Sequence, residues 1–384
     1  MSVDLTAKGS AVYSGKRLAI AFVICFISGV FSGTVSTLMS VYLPVAVKDL
    51  QGNVSEEELN RIGAYINSLF IFGWMFGGIT WGFIGDRSGR TRSVIYSTAC
   101  FGLFTLLTSF SSSWLWVSAC RFMSGFGVGG VLVTTVILIA EIWDEKRRDV
   151  VLGILSIAFP VGIFSAGLIN NLAPGWRQAF LIGAIPLLLA IVSIWLLPES
   201  AAWKKDQPAI SKQSEWKLLA LPENRKNILL GTVIFGSMLI GLWAIFAWLP
   251  TWMQEILPGK DAQKERGMSM MFLGGGGLLG GFISGWLAKA IGGLKRTMIL
   301  CFAGCFVLAF LLFKLNHSFS PVIYVEIALV ALLFGISQGV LSAFIPQLFP
   351  VNVRAAATGF CFNIGRLFTA TVVFFIGALE SFAG

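Results

Sequence analysis

The chain is written as long apolar runs divided by short polar turns. The runs fall at 18–47, 63–84, 93–110, 114–141, 150–172, 177–197, 228–255, 267–288, 297–314, 321–346 and 355–380, and about 20 apolar residues suffice for a helix to cross a bilayer. None shows the strict alternation that a barrel strand needs. Lipid offers the backbone no hydrogen-bond partner, so each run is expected to satisfy its own amides as a helix. The pattern thus predicts eleven membrane spans.

Composition agrees with that pattern. Of 384 residues, 56% are hydrophobic and only 12% charged, and mean hydropathy is +0.82; soluble domains carry about twice as many charges. The expected class is an all-α integral membrane protein. The first run is too long for a signal peptide and has no small-residue cleavage pattern after it, so it reads as a retained helix.

The formal net charge of +9 is spread over the polar turns rather than gathered in one stripe, which excludes nucleic acid as a partner. It reads instead as a topology signal. With the N-terminus inside, the inner turns carry Arg87, Arg90 and Arg92, then Lys146, Arg147 and Arg148, then Lys204 and Lys205 with their neighbours, then Lys289, Lys295 and Arg296, then Arg354. The outer turns are balanced or poor in basic residues, and basic excess marks the cytoplasmic face. A multi-pass protein of the cell (inner) membrane with a cytoplasmic N-terminus is expected, placing Lys204 inside and Lys260 outside.

The longest polar segment, Pro198 to Asn227, parts six runs from five. It predicts an N-terminal six-helix half (1–197), a cytoplasmic linker (198–227) and a C-terminal half of five helices (228–384). The halves also repeat. "GGITWGFIGDRSGRTR" laid over "GGFISGWLAKAIGGLK" matches Gly77 with Gly280, Gly82 with Gly285, Gly89 with Gly292 and Arg92 with Lys295 at an offset of 203. "AEIWDEKRRDVVLG" over "PQLFPVNVRAAATG" matches Arg148 with Arg354 at an offset of 206. Such parallel repeats are a mark of transporters.

The turn that combines Gly82, Asp86, Arg87, Gly89 and Arg90 closely resembles the loop between the second and third helices of the major facilitator superfamily. "RFMSGFGVGG" (Arg121 to Gly130) resembles the fourth-helix motif of that superfamily, and "LPESAAW" (Leu197 to Trp203) is similar to the end of the sixth helix in its sugar-porter-like members. The resemblance implies a two-half fold and a conformational latch at the cytoplasmic turn. Asp86 would meet the start of the eleventh helix beside Arg354, while Arg87 and Arg90 would pair with acidic residues such as Glu141, with Arg148 and Arg354 as repeat partners. An anion at a helix N-terminus is favoured by its free amides. The superfamily's usual twelfth helix does not follow residue 380, so the C-terminus is expected outside, by truncation or natural variation.

Other motifs carry little. The glycine runs Gly274 to Gly277 and Gly125–Gly127 lack the Lys-Ser/Thr pair of a phosphate loop and suit close helix packing. His317 is the sole histidine and has no second ligand candidate nearby. The six cysteines lie inside apolar runs without metal spacing. No cofactor is expected, and no enzyme constellation is present. The fifth run lacks the Gly-Pro-x-x-Gly-Gly pattern of drug/proton antiporters.

Charges within apolar runs are costly and mark function by default. Arg121, Glu326 and Arg366 are the three. At an offset of 206, Glu326 aligns with Cys120, the neighbour of Arg121, which predicts opposed charges at nearly equivalent depths and a proton-coupling pair. The alternatives are separate burial of Arg121 and Glu326, each satisfied within its own half, and a packing role for Arg366 near Asn67 or Asn363.

"AWLPTWM" (Ala247 to Met253) and "LFPVNVRAAATGFCFNIGR" (Leu348 to Arg366) resemble the seventh helix and the tenth-to-eleventh junction of organic-anion symporters in the superfamily. The Gln-Gln pair of sugar porters is missing, and the first helix lacks the Asp-Gly pair of aromatic-acid symporters. The resemblance implies alternating-access transport of a small organic anion, a carboxylate, inward with protons, in a monomer embedded in the lipid bilayer. Arg366 would hold the anion through its bidentate fork, with Asn363 beside it and Trp243 and Trp248 as an apolar wall. Two alternatives are an exporter of amphipathic or lipid-like molecules, favoured by 33 Phe, and a non-transporting membrane sensor or scaffold.

Overall fold

The computed structural model describes residues 13–173, 175–205, 222–257, 262–350 and 354–383. Fourteen α-helices and one short 3₁₀ turn make up the described elements, with no strand among them. In chain order they are α1 (Gly15–Gln51), α2 (Glu56–Ser88), α3 (Arg90–Thr108), α4 (Trp114–Ile142), α5 (Glu145–Ser156), α6 (Ala158–Leu172), α7 (Trp176–Phe180), α8 (Ala184–Leu196) and α9 (Ala201–Lys205). After the linker come α10 (Pro222–Glu255), α11 (Gln263–Ile291), α12 (Leu294–Leu315), α13 (Val322–Gln347) and α14 (Arg354–Ala383).

Local chemistry sets the helix limits. Ser55 caps α2 by accepting from the Glu58 amide at 3.2 Å, and the acidic first turn Glu56 to Glu58 suits the free amides at a helix start. Ser113 caps α4 in the same way through the Trp116 amide at 3.3 Å. Two expected continuous spans are interrupted. The run 150–172 breaks at Ile157 between α5 and α6, four residues after Gly153 and three before Pro160; the run 177–197 tightens into a 3₁₀ turn at Leu181–Gly183, just before Pro186. Each proline lacks an amide hydrogen and crowds the carbonyl four residues earlier, Ser156 and Ile182 respectively.

Ten of the described helical stretches are long and apolar enough to cross a membrane. The exception among the eleven expected spans is α3, whose first turn carries Arg90 and Arg92 and whose buried face is rich in hydroxyls. Most of those hydroxyls find partners: Ser93 donates to the Trp81 carbonyl at 2.9 Å, Ser97 to that of Ser93 at 2.7 Å and Thr105 pairs with the Ser124 hydroxyl at 3.1 Å, while Thr98 Oγ1 has none. It packs against α4 and α8 beside the apolar spans.

Helix packing repeats along the chain. Before the linker α2 packs on α4 and α1 on α6; after it α11 packs on α13 and α10 on α14. The aligned glycines explain the register. A Cβ on Gly77 would stand 1.9 Å from the Phe126 carbonyl oxygen, and one on Gly280 would stand 2.0 Å from that of Leu332, positions that match at the offsets read from the sequence. Only glycine allows these backbones so close. The turn glycines match too, since Gly89 and Gly292 adopt φ of 115° and 93°, which L side chains avoid. Pro44 in α1 and Pro250 in α10 likewise stand 206 residues apart. Contacts across the linker are made by α2 with α14, α6 with α11 and α1 with α10.

Candidate functional site

Where these helices meet, the side chains form an aromatic cluster around one guanidinium. Arg366, three turns into α14, lies with its guanidinium carbon 5.2 Å from the Trp74 ring centre and 6.0 Å from that of Phe235, distances at which a cation is drawn to a π face. Its Nη1 donates to Asn363 Oδ1 at 3.4 Å, and the Asn363 amide donates to the Gly359 carbonyl at 2.9 Å. Trp74 meets Trp243 edge-on at 5.7 Å, Phe159 at 5.6 Å and Phe70 at 6.0 Å. Arg366 is only partly buried. Among the described residues no carboxylate comes within 4.0 Å of it.

The other expected site residues divide. Trp243 and Asn363 join this cluster, whereas Trp248 is a partly buried residue packed on the hydrophobic core outside the ring contacts above. Trp74 was not anticipated; a tryptophan in an apolar run reads as packing, and only its partner Arg366 marks it out.

Arg121 and Glu326, expected to meet in one state of the cycle and part in the other, are apart in this one. Arg121 is 1% exposed. Its Nη1 and Nη2 donate to the carbonyls of Val35 at 2.7 Å and Ser36 at 3.2 Å on α1, and its guanidinium lies 4.0 Å over the Phe70 ring. Glu326 is half-buried one turn into α13, where its Oε2 accepts from the Asn316 amide at 2.7 Å. One residue of offset along a helix turns a side chain by about 100°. Similar depth therefore did not mean a shared face.

At the end of the bundle carrying Gly89, the charged turn is tied into residues 13–205. Arg90 pairs with Asp86 at 2.5 Å and Glu141 at 3.0 Å. Gly85 and Gly89 are buried, Gly82 is half-buried and Arg87 is exposed. The "PES" segment adds a clasp. Glu199 Oε1 accepts from the Thr91 amide at 3.1 Å, Thr91 Oγ1 donates to Pro198 at 2.7 Å, and the Trp203 indole donates to the Asp86 carbonyl at 2.8 Å. A carboxylate thus covers the start of α3 while an indole covers the end of α2, the two polarities that helix ends ask for. Arg148 is half-buried with its Nε unpaired. The Arg354 side chain, and with it the expected meeting of Asp86 and Arg354, lies outside the described residues, as do Lys212, Lys217 and Lys260.

At the opposite end, by Gly52, the two sides of the linker are joined directly. The Asn170 amide donates to the Gln263 carbonyl at 2.5 Å, and the Gln263 amide donates to the carbonyls of Asn170 at 2.6 Å and Ala173 at 2.8 Å. Arg266, 1% exposed, donates to the Gln254 side chain beneath them. Sequence reading missed Gln263 and Arg266 because they open an apolar run and look like turn residues.

A polytopic helical bundle with an internal parallel repeat and a partly buried guanidinium at the seam, without a carboxylate partner among the described residues, suits a membrane transporter rather than an enzyme. The chain belongs to the Major Facilitator Superfamily, whose pattern it matches over residues 24–372. It is 29% identical over 373 residues to the cis,cis-muconate transport protein of Acinetobacter baylyi, covering 94% of this chain and 87% of that one. It is 26% identical to the benzoate transport protein of the same organism, covering 88% and 78%, and 26% identical to the gentisate transporter of Corynebacterium glutamicum, covering 92% and 79%. In fold it matches the inward-open xylose transporter XylE from E. coli with a TM-score of 0.77 at 17% identity, covering 94% and 89% of the two chains.

Proposed function

We propose that this transporter carries a small organic carboxylate inward together with protons, by alternating access, and that Arg366 holds the carboxylate. The observation that carries the reading is a partly accessible guanidinium set among aromatic rings, with no carboxylate within pairing distance among the described residues. Even a partly buried cation without a counter-charge is costly within a membrane bundle, and an anionic substrate supplies one. Guanidinium geometry suits a carboxylate bidentately. The relatives named for muconate, benzoate and gentisate support the same substrate class.

In this reading residues 1–197 and 228–384 rock as two bodies joined by the 198–227 linker. The protein sits in the inner membrane as a monomer with its N-terminus and the Gly89 turn in the cytoplasm. The Asn170–Gln263 bonds then close the outer end, giving an inward-facing state; the Arg90–Asp86 and Arg90–Glu141 pairs hold the charged turn within residues 1–197, and the latch across the halves in the outward-facing state is Asp86 meeting the start of α14 beside Arg354.

The test is uptake into proteoliposomes under an imposed pH gradient. Saturable benzoate uptake that rises with an acid exterior and collapses with a protonophore supports the proposal. Failure of any carboxylate to enter, or to raise the protein's thermal stability, would overturn it.

A further inference from the structure

Toward the Gly52 end, a groove of about 570 Å³ runs along one face of α2 between α4 and α14. Tyr65 and Leu69 line it from α2, Trp114, Ala119 and Phe122 from α4, and Phe374 from α14. Its volume falls within the ~300–1,000 Å³ usual for ligand sites. Its chemistry is apolar. Ser118 also lines it, but that hydroxyl is spent on the Trp114 carbonyl at 2.9 Å, which leaves the Tyr65 hydroxyl and the Trp114 indole as polar handles. Tyr and Trp are the residues that settle at the level of lipid headgroups.

Tyr65, Leu69, Phe76 and Phe83 follow one another at spacings of four and seven, so they share one stripe of α2. Phe76 and Phe83 are 48% and 42% exposed, and the groove thus continues into apolar surface that a bilayer covers. Its walls come from both sides of the linker. Tyr65 stacks on Trp114 at 6.1 Å and meets Phe374 at 4.9 Å, a ring contact between α2 and α14. Beyond Tyr65 on the same stripe, Glu58 and Arg61 pair at 2.5 Å, both partly exposed. The rim therefore offers both signs of charge.

We propose that this groove binds an acyl chain of a zwitterionic phospholipid, whose ammonium and phosphate meet Glu58 and Arg61 at the rim, and that the bound chain favours the state closed at the Gly52 end. A chain lying there touches Trp114 and Phe374 at once. In the rocking motion proposed above, opening that end parts α14 from α2 and takes one wall away, so the lipid binds the closed state more tightly and shifts the balance toward it. The site itself depends neither on Arg366 nor on a carboxylate substrate.

The probe is phosphatidylcholine carrying a diazirine at mid-chain, mixed into nanodiscs that hold the wild-type protein, with adducts mapped by peptide mass spectrometry. Lipid touches every exposed face, so the reference is α12, where Leu300 and Val307 are 57% and 51% exposed. Labelling of 65–69 and 115–123 is expected at least about fivefold above that of 300–307. It should fall to the reference level in Ala119→Trp, which fills the groove from an exposed position, and in Phe374→Ala, which removes one wall. Equal labelling of the two faces would leave only the ordinary lipid annulus and overturn the proposal. Protein–protein cross-links from the groove in place of lipid adducts would give it to a second copy and overturn it as well. A phosphatidylglycerol probe that labels as strongly would overturn the headgroup assignment. For the state preference, phosphatidylcholine added to delipidated Met271→Cys protein should slow labelling at the Gly52 end about threefold, with no effect when Ala119→Trp is also present. A rate that lipid leaves unmoved would overturn that preference.

Discussion

Arg121 in α4 and Arg366 in α14 are both guanidiniums deep in apolar helices, on opposite sides of the linker. Arg121 is enclosed, with two carbonyl acceptors and a ring face at 4.0 Å. Arg366 is half-open, with one long contact and two rings at 5.2 and 6.0 Å. Depth in the membrane does not separate them; the number of satisfied donors does. Arg121, with both terminal nitrogens on α1 carbonyls and only Nε left unpaired, fastens helices together, whereas Arg366, with one long contact and some accessible surface, can still take a ligand. Arg121 is the more deeply desolvated, but only Arg366 can recover part of its cost by binding an anion.

The most severe way to break this comparison is to remove the fastener. Arg121→Ala loses its interhelical hydrogen bonds and leaves a void against α1 and Phe70, and is expected to destabilise the protein by ~2–4 kcal/mol. Thermal unfolding in detergent would show it, and benzoate affinity of the surviving folded fraction should stay within about twofold. A variant that folds normally and loses binding would move Arg121 into the site.

Arg366→Lys sharpens the other side. Charge persists and the flat fork is lost, so carboxylate affinity should fall about tenfold, ~1.4 kcal/mol, with the unfolding temperature unchanged. Equal affinity in the variant would make Arg366 another fastener. Trp74→Leu tests the ring beside it, with an expected loss of ~0.5–1.5 kcal/mol in benzoate binding and recovery of most of that by Trp74→Phe.

How much of this was legible beforehand follows the same division. Arg366 stood out because an ionised residue in an apolar run has no bland explanation. Trp74 did not, since hydrophobicity alone accounts for a tryptophan there. The repeat was readable from Gly77 and Gly280 because backbone approach admits no other residue, and the same logic placed Gly89 and Gly292 in turns. The helix breaks at Ile157 and Leu181 were hidden inside unbroken apolar runs, although Pro160 and Pro186 are their visible causes. Pairings across the seam, such as Gln263 with Asn170, depend on which faces meet, and a linear pattern carries depth far better than azimuth.

Those seam contacts supply a further test. Gln263→Ala removes two hydrogen bonds that hold the Gly52 end closed while leaving the α6–α11 backbone contact in place. The conformational balance should shift toward opening at that end by ~1 kcal/mol, roughly fivefold. A single cysteine at Met271, which touches Asn171, reports it by faster labelling from that side in the variant. Unchanged labelling would mean that these bonds follow closure instead of holding it.

The smallest effect is expected at Glu326. Its carboxylate accepts one hydrogen bond from Asn316, whose amide also donates to the Leu312 carbonyl at 2.8 Å, so the group pins the turn between α12 and α13. A glutamine keeps an acceptor oxygen in nearly the same place, so Glu326→Gln should change stability by less than about 0.5 kcal/mol. Proton-driven uptake should likewise persist, because neither Arg121 nor Arg366 is a partner of Glu326 here. The opposite outcome is sharply defined: loss of uphill uptake with exchange down the gradient preserved. That result would show that α13 leaves Asn316 during the cycle and carries its carboxylate to a second partner, so that Arg121 and Glu326, apart in this state, become a pair in the other.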